Sequence, residues 1–247
     1  MKLKLQTVEN SYAQNSFVNG DFQSWQRGDS VTTNGSKTEY TCDMWATSYK
    51  TTVRKVENGL KTTNDCHLIQ LLPKVEKGEK YAISCSINNS EYSMIIEGGK
   101  FKETEQMYYS PNRETSGLSM FVFKLKANDV LNWVHKNDGE ISHKHRKEDK
   151  AITLMRCLPF CERAKFTATA TGAYFMDGFS YKMPKEKNPV INILYVADSD
   201  GKVNENDFSF SVIDKYFANF IRYKGGSCES LKNKIYTFDV LITCESL

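Results

Sequence analysis

The sequence predicts a mainly β protein: a β-sandwich over residues 15–183, then a small C-terminal α/β unit of β-α-β form. Two observations predict it. Short apolar-polar alternating runs, separated by Gly, Asn and Ser turns, recur along the first three quarters of the chain. After a charged stretch bracketed by Pro184 and Pro189, the pattern changes to a compact apolar strand, a helix-like period and a final strand.

Composition narrows the class. The 247 residues are 40% hydrophobic and 26% charged, ordinary for a chain that buries a core. A net charge of +3, with Lys and Arg scattered among Asp and Glu, lacks the basic stripe of a nucleic-acid binder. No apolar run is long enough to span a bilayer, so no membrane insertion is expected. The opening MKLKLQTVEN has lysines but no apolar stretch behind them, which argues against a secretory leader. Seven cysteines at irregular spacing suit small apolar packing residues better than a disulfide framework or a zinc set.

Residues 1–14 are polar and read as an arm. Ser16–Asn19 reads as an edge strand that bends at Gly20, with Phe22, Trp25 and Trp45 supplying apolar area at one end of the core. Met44–Tyr49 and Thr51–Val56 read as strands, Asn58-Gly59 as a hairpin turn, and His67–Leu72 as a dense apolar strand. Lys80–Asn88 has the cleanest period of two, with Tyr81, Ile83, Cys85 and Ile87 on one face. Tyr92–Ile96, Leu118–Leu125 and Val130–Val134 continue the series, and residues 136–150 read as a solvated loop. Ile152–Leu158, Lys165–Thr171 and Ala173–Met183 read as closing strands. Residues 184–189 read as a linker, followed by a strand at Val190–Val196. A helix is expected from Asn206 or Asp207 to Tyr223, because Val212, Ile213, Tyr216, Phe217, Phe220 and Ile221 recur at helical spacing. Ile235–Cys244 reads as the last strand.

Three motifs carry a family resemblance. N-x-x-x-N-G-D-F-x-x-W-Q-R-G runs from Asn15 to Gly28 and is followed by D-x-W at Asp43–Trp45. L-x-x-x-x-x-G-x-x-Y-x-x-S-x-x-I-N covers Leu72–Asn88, and G-A-Y-F-x-D-x-F covers Gly172–Phe179. Together they resemble the carbohydrate-binding-type jelly rolls of bacteriophage tail fibres and other virion surface appendages. The resemblance implies a non-enzymatic virion structural protein, made in the host cytoplasm and displayed on the particle surface. Its implied partners are copies of itself, as a homotrimer, other virion proteins of tail, baseplate or capsid, and host surface polysaccharide. It also implies that the 173–183 strand returns beside the opening one. A tail-associated receptor-binding role leads. A head fibre or capsid decoration protein is the first alternative, and an accessory carbohydrate-binding module of a polysaccharide-degrading system the second.

Sugar rings stack their apolar faces on aromatic side chains, so loop aromatics beside polar residues are the ligand candidates. Tyr108 and Tyr109, followed by Arg113, come first, and Trp133 next. For each of them, packing in the core or a subunit contact is the plainer expectation. Asp198, Asp200, Gly201, Asn204 and Asp207 match oxygen-ligand and turn positions of an EF-hand-like calcium loop, but Val196 stands where the first Asp belongs. A simple Asp-Gly turn is the plainer reading. The family resemblance implies a second structural calcium, carried over to Asn19, Gly20, Asp21 and Asp177, with Gln23 standing where an acid would be. His143-Lys-His145 reads as exposed loop rather than a ligand pair. No catalytic residues are expected: neither a nucleophile elbow nor a triad order is present.

Overall fold

In a computed structural model of the chain, the described residues are 17–113, 118–140, 145, 147–170, 174–175, 179–181, 185, 188–212, 217–223 and 234–244. Asn15, His143, Gly172 and Asp177, and the 1–14 arm, lie outside them.

The first unit is a sandwich of two six-stranded sheets. Its strands are β1 (Ser30–Thr32), β2 (Glu39–Tyr40), β3 (Ala46–Thr47), β4 (Thr52–Val56), β5 (Gly59–Thr62) and β6 (Cys66–Pro73). They continue with β7 (Lys80–Ile87), β8 (Ser90–Glu97), β9 (Lys102–Glu103), β10 (Met107–Arg113), β11 (Leu118–Leu125) and β12 (Val130–Asp138). One sheet has the order β1-β4-β5-β12-β7-β8, the other β2-β3-β6-β11-β10-β9, and neighbouring strands pair antiparallel. Alternation explains the layering: Ile83, Cys85 and Ile87 of β7 face Leu68 and Leu72 of β6 and Phe121 and Phe123 of β11 in one core. The β7 and β11 expectations are met to within a residue.

The opening segment is a turn rather than an edge strand. Phe22 N–H donates to Asn19 O, and Asn19 and Phe22 both adopt positive φ. Val18 finds its strand partner in a side chain: Gln70 accepts from Val18 N–H and donates to Val18 O. Phe17, Phe22 and Trp45 are buried in the core, and Trp25 packs partly against it. The strand that meets this opening is β12, whose Val134 N–H donates to Gly20 O at 2.9 Å.

The expectation for 173–183 is therefore corrected. Its pieces, β14 (Tyr174–Phe175) and β15 (Phe179–Ser180), pair with a later strand in a second β unit. Ile152–Leu158, expected as a strand, lies mostly in helix α1 (Lys150–Cys157). Asp149 caps that helix by accepting from Ala151 N–H and Ile152 N–H. The polar loop expected over 136–150 is shortened at both ends by β12 and α1.

The second unit contains β13 (Cys161–Thr169), β14, β15, β16 (Val190–Asp198), β17 (Gly201–Val203), a 3-10 turn at Glu205–Asp207, β18 (Phe208–Val212), β19 (Phe217–Tyr223) and β20 (Ile235–Thr243). One sheet runs β13-β20-β16-β17, and in the other β14, β15 and β18 pair with β19. The helix expected over about 206–223 is thus a strand pair. Phe208 and Phe210 alternate along β18, and aromatic and β-branched residues favour that extended pairing over a helix. A core of Ala168, Ala170, Phe175, Tyr181, Val196, Phe208, Ile221, Tyr236, Phe238, Val240 and Ile242 spans both sides of the stretch expected as a linker. Within that stretch Lys185 is buried. The mainly β expectation holds, and the described residues after Val190 form strands and one 3-10 turn.

Candidate functional site

The two tyrosines singled out in the sequence separate by strand alternation. Tyr109 points inward: it is fully buried, its ring 5.2 Å from that of Phe121 and its hydroxyl 3.4 Å from Ser119 Oγ. Tyr108 points outward, on the solvent side of the second sheet, beside Glu103 of β9 in register. It joins a continuous row of rings. Tyr49 and His67 are 4.7 Å apart, His67 and Tyr108 6.1 Å, and Tyr108 and Phe101 6.0 Å, between centroids. The ends of the row are open, with Tyr49 38% and Phe101 59% exposed.

Polar groups border these rings. Tyr49 Oη lies 3.2 Å from His67 Nδ1. Lys124 Nζ lies 5.9 Å from the Tyr108 centroid and donates to Glu103 Oε1 and Thr104 O. Burial first, then the Lys124 charge, lowers the pKa of His67 below the usual histidine value. Burial, with Tyr49 and Glu103 nearby, raises the Tyr108 phenol. Arg113 ends β10 opposite Leu118, and its side chain lies outside the described residues. Sequence patterning marks Tyr108 but not its neighbours in the row. Tyr49, His67 and Phe101 are brought beside it only by sheet pairing and the β8–β9 connection.

Trp133 lies on the other sheet's outer face. It lines a cleft of about 340 Å³ together with Asp21, Asn132, Asn89 and His145. His145, expected in an exposed loop, stacks on Trp133 at 4.3 Å with the rings 6° from parallel. Its Nε2 is 2.8 Å from Asp21 Oδ1, while Asp21 Oδ2 accepts from Glu148 N–H at 2.7 Å.

These contacts bear on the calcium candidates. Both oxygens of Asp21 already face donors, an arrangement that does not fit a cation ligand. At the other candidate loop, Asp198 and Gly201 close a β16–β17 hairpin, and Asp200 N–H donates to Asp198 Oδ1. Lys234 Nζ sits 3.3 Å from Asp198 Oδ2 and 3.1 Å from Asp200 Oδ2, so an ammonium already bridges this pair and offsets one of its two charges. Asn204 turns away to cap the 3-10 turn, accepting from Asn206 N–H and donating weakly to Asp207. The segment after the loop is strand β18, not the exit helix of an EF-hand. Among the described residues, no group of three or more His, Cys, Asp or Glu side chains is arranged to hold a metal ion.

The structural motif has its own hydrogen-bond centre, built from two residues less conspicuous than the aromatics around them. Asn19 accepts from Ser24 N–H and donates to Ser24 O and Asp43 O. Buried Asp43 accepts from Ser24 Oγ, Gln26 N–H and Arg27 Nη1. Trp45 Nε1 donates to Asn19 O, and Trp25 Nε1 to Phe22 O. The described cysteines, 42, 66, 85, 157, 161 and 244, are buried, in keeping with their reading as packing residues. Comparison of the chain with protein-family models, with curated proteins and with solved structures found no match.

Proposed function

We propose that this chain is a non-enzymatic binding protein that recognises a carbohydrate polymer through the ring row Tyr49–His67–Tyr108–Phe101. The row itself carries the reading. Aromatic groups in contact across a β-sheet face, open at both ends and bordered by Lys124 and Glu103, suit the apolar faces and hydroxyl rims of consecutive sugars. The strand order supports a jelly-roll-like wrap: β12 inserts between β5 and β7, and β11 lies beside β6. The β7–β8 and β10–β11 hairpins depart from the simplest form of that wrap.

Within this class, the particular reading is a bacteriophage virion surface protein, tail-associated and engaging host-surface glycan. Its support is the set of opening, middle and closing motifs quoted from the sequence. Assembly as a homotrimer is part of the same proposal. Exposed Val190, Leu194 and Tyr195 on β16 and Ile235 on β20 are apolar surface for subunits to cover.

The test is binding of the purified protein to host cell-wall polysaccharide. Saturable binding is expected, weakened about tenfold or more by Tyr108→Ala with less than about 1 kcal/mol lost in stability. Absence of saturable binding, or full affinity in the variant, counts against the row as a sugar site. Antibody labelling of particles gives the location, and even coverage of the capsid would replace the tail-associated reading with decoration.

A further inference from the structure

The cleft beside Trp133 is built with more care than a surface dent requires. Trp133 pairs in register with Ser86, so a large ring stands next to a small side chain and leaves a hollow between them. Asn132 sets the rim. Its Oδ1 accepts from Ser86 Oγ at 3.2 Å and Asn89 N–H at 2.9 Å, and its Nδ2 donates to Asn58 O at 2.9 Å. One amide thereby ties the β4–β5 and β7–β8 turns to β12. Gly59 lets that rim close tightly, since a Cβ there would lie 2.2 Å from Leu131 O. On the far side His145 covers part of Trp133, is held by Asp21, and has its buried Nδ1 without a partner among the described residues.

What remains at the mouth is a set of unengaged polar groups. The Asn58 and Asn89 side-chain amides, the Glu91 carboxylate and the Lys147 ammonium line the cleft, and none has a side-chain partner among the described residues. A carboxylate that accepts an N–H and an ammonium that donates to a C=O, lining one cleft with a tryptophan, match a ligand carrying both groups on a ring with an apolar face. We propose that the cleft binds a single N-acylated sugar residue. Its ring face packs against Trp133, its amide lies between Glu91 and Lys147, and its hydroxyls meet Asn58 and Asn89. A volume of about 340 Å³ is at the small end for ligand pockets, as one such residue requires. The ligand class rests on the carbohydrate reading above, but the site is separate from the ring row and lies on the opposite sheet.

The experiment titrates the whole protein with free N-acetylglucosamine, and with glucose as the counterpart lacking the amide, following amide and indole NMR signals. Saturable N-acetylglucosamine binding is expected in the wild type and in Tyr108→Ala, with glucose weaker by about fivefold or more. Trp133→Ala should weaken binding about tenfold or more, and Glu91→Gln, an exposed change that leaves the fold untouched, about threefold or more. No saturable binding of N-acetylglucosamine overturns the proposal, as does binding that neither Trp133→Ala nor Glu91→Gln alters. Polymer binding lost in Tyr108→Ala without any N-acetylglucosamine binding would overturn the cleft alone. Monosaccharide binding at the cleft without polymer binding would overturn the ring row alone.

Discussion

Asn19 carries more of the opening motif than any of its aromatics. Its side chain makes three hydrogen bonds while fully buried, and its backbone sits at φ 55°, a region Asn tolerates better than most residues. Asn19→Ala leaves Ser24 N–H and two carbonyls short of a partner, so a loss of about 2–4 kcal/mol is expected in urea unfolding. His67 gives a pH prediction with a definite sign. Its pKa is lowered in the folded chain by burial and by Lys124, so the unfolded chain binds its proton first as pH falls. The stability that neutral His67 contributes is complete above its unfolded value near 6.5. It is lost progressively as pH falls from there through the lower folded value. Histidine NMR titration should find His67 below the usual range, and His67→Gln should flatten the stability profile in that window. A folded pKa at or above the usual value would refute the sign.

At the scale of elements, side chains complete strands and tie segments that backbone pairing leaves loose. Lys185 and Glu162 form an ion pair at 2.6 Å with side chains 0% and 1% exposed, and Lys185 also donates to Leu158 O just after α1. Breaking such a pair strands a buried charge. Lys185→Met is expected to cost about 3–5 kcal/mol, and Lys185→Met with Glu162→Met to recover much of it, by denaturant titration. A double variant no better than the single one would show that the pair contributes more than it costs to desolvate. The elements also show which local signals mislead. Ile152–Leu158 has strand-like residues, yet Asp149 caps a helix there and Thr153 and Cys157, one turn apart, are its buried pair. Over 208–223 the spacing of apolar residues imitates a helix, but a dense run of Phe, Tyr, Val and Ile satisfies more than one period. Pairing of β18 with β19 decides between them.

On the scale of the whole molecule, the W-Q-R-G run joins the two cores. Trp25 packs on the sandwich and Arg27 reaches Asp43 and the Tyr40 ring. Between them, Gln26 donates to Cys161 O and accepts from Arg163 N–H at 2.8 Å, pairing with β13 as a strand residue would. Gln26→Ala should loosen that junction. The expected outcome is less cooperative heat unfolding, with the two units separating in calorimetry, while the sandwich spectrum at low temperature is unchanged. A single transition as sharp as that of the wild type would show that other contacts couple the units.

Period-two runs such as 80–87 and 118–125 determined by themselves that the chain is mainly β, and where its clearest strands lie, because alternation is a local consequence of burying one face. The same local rule distinguishes Tyr109 in the core from Tyr108 outside once the register is known. Only the tertiary structure decided that β13 belongs with β20, that Lys185 is buried, and that Tyr49 and His67 stand beside Tyr108. It also decided that His145 covers Trp133 above a cleft. Each of these depends on contacts between residues far apart in the chain, and no local pattern of residue types encodes them.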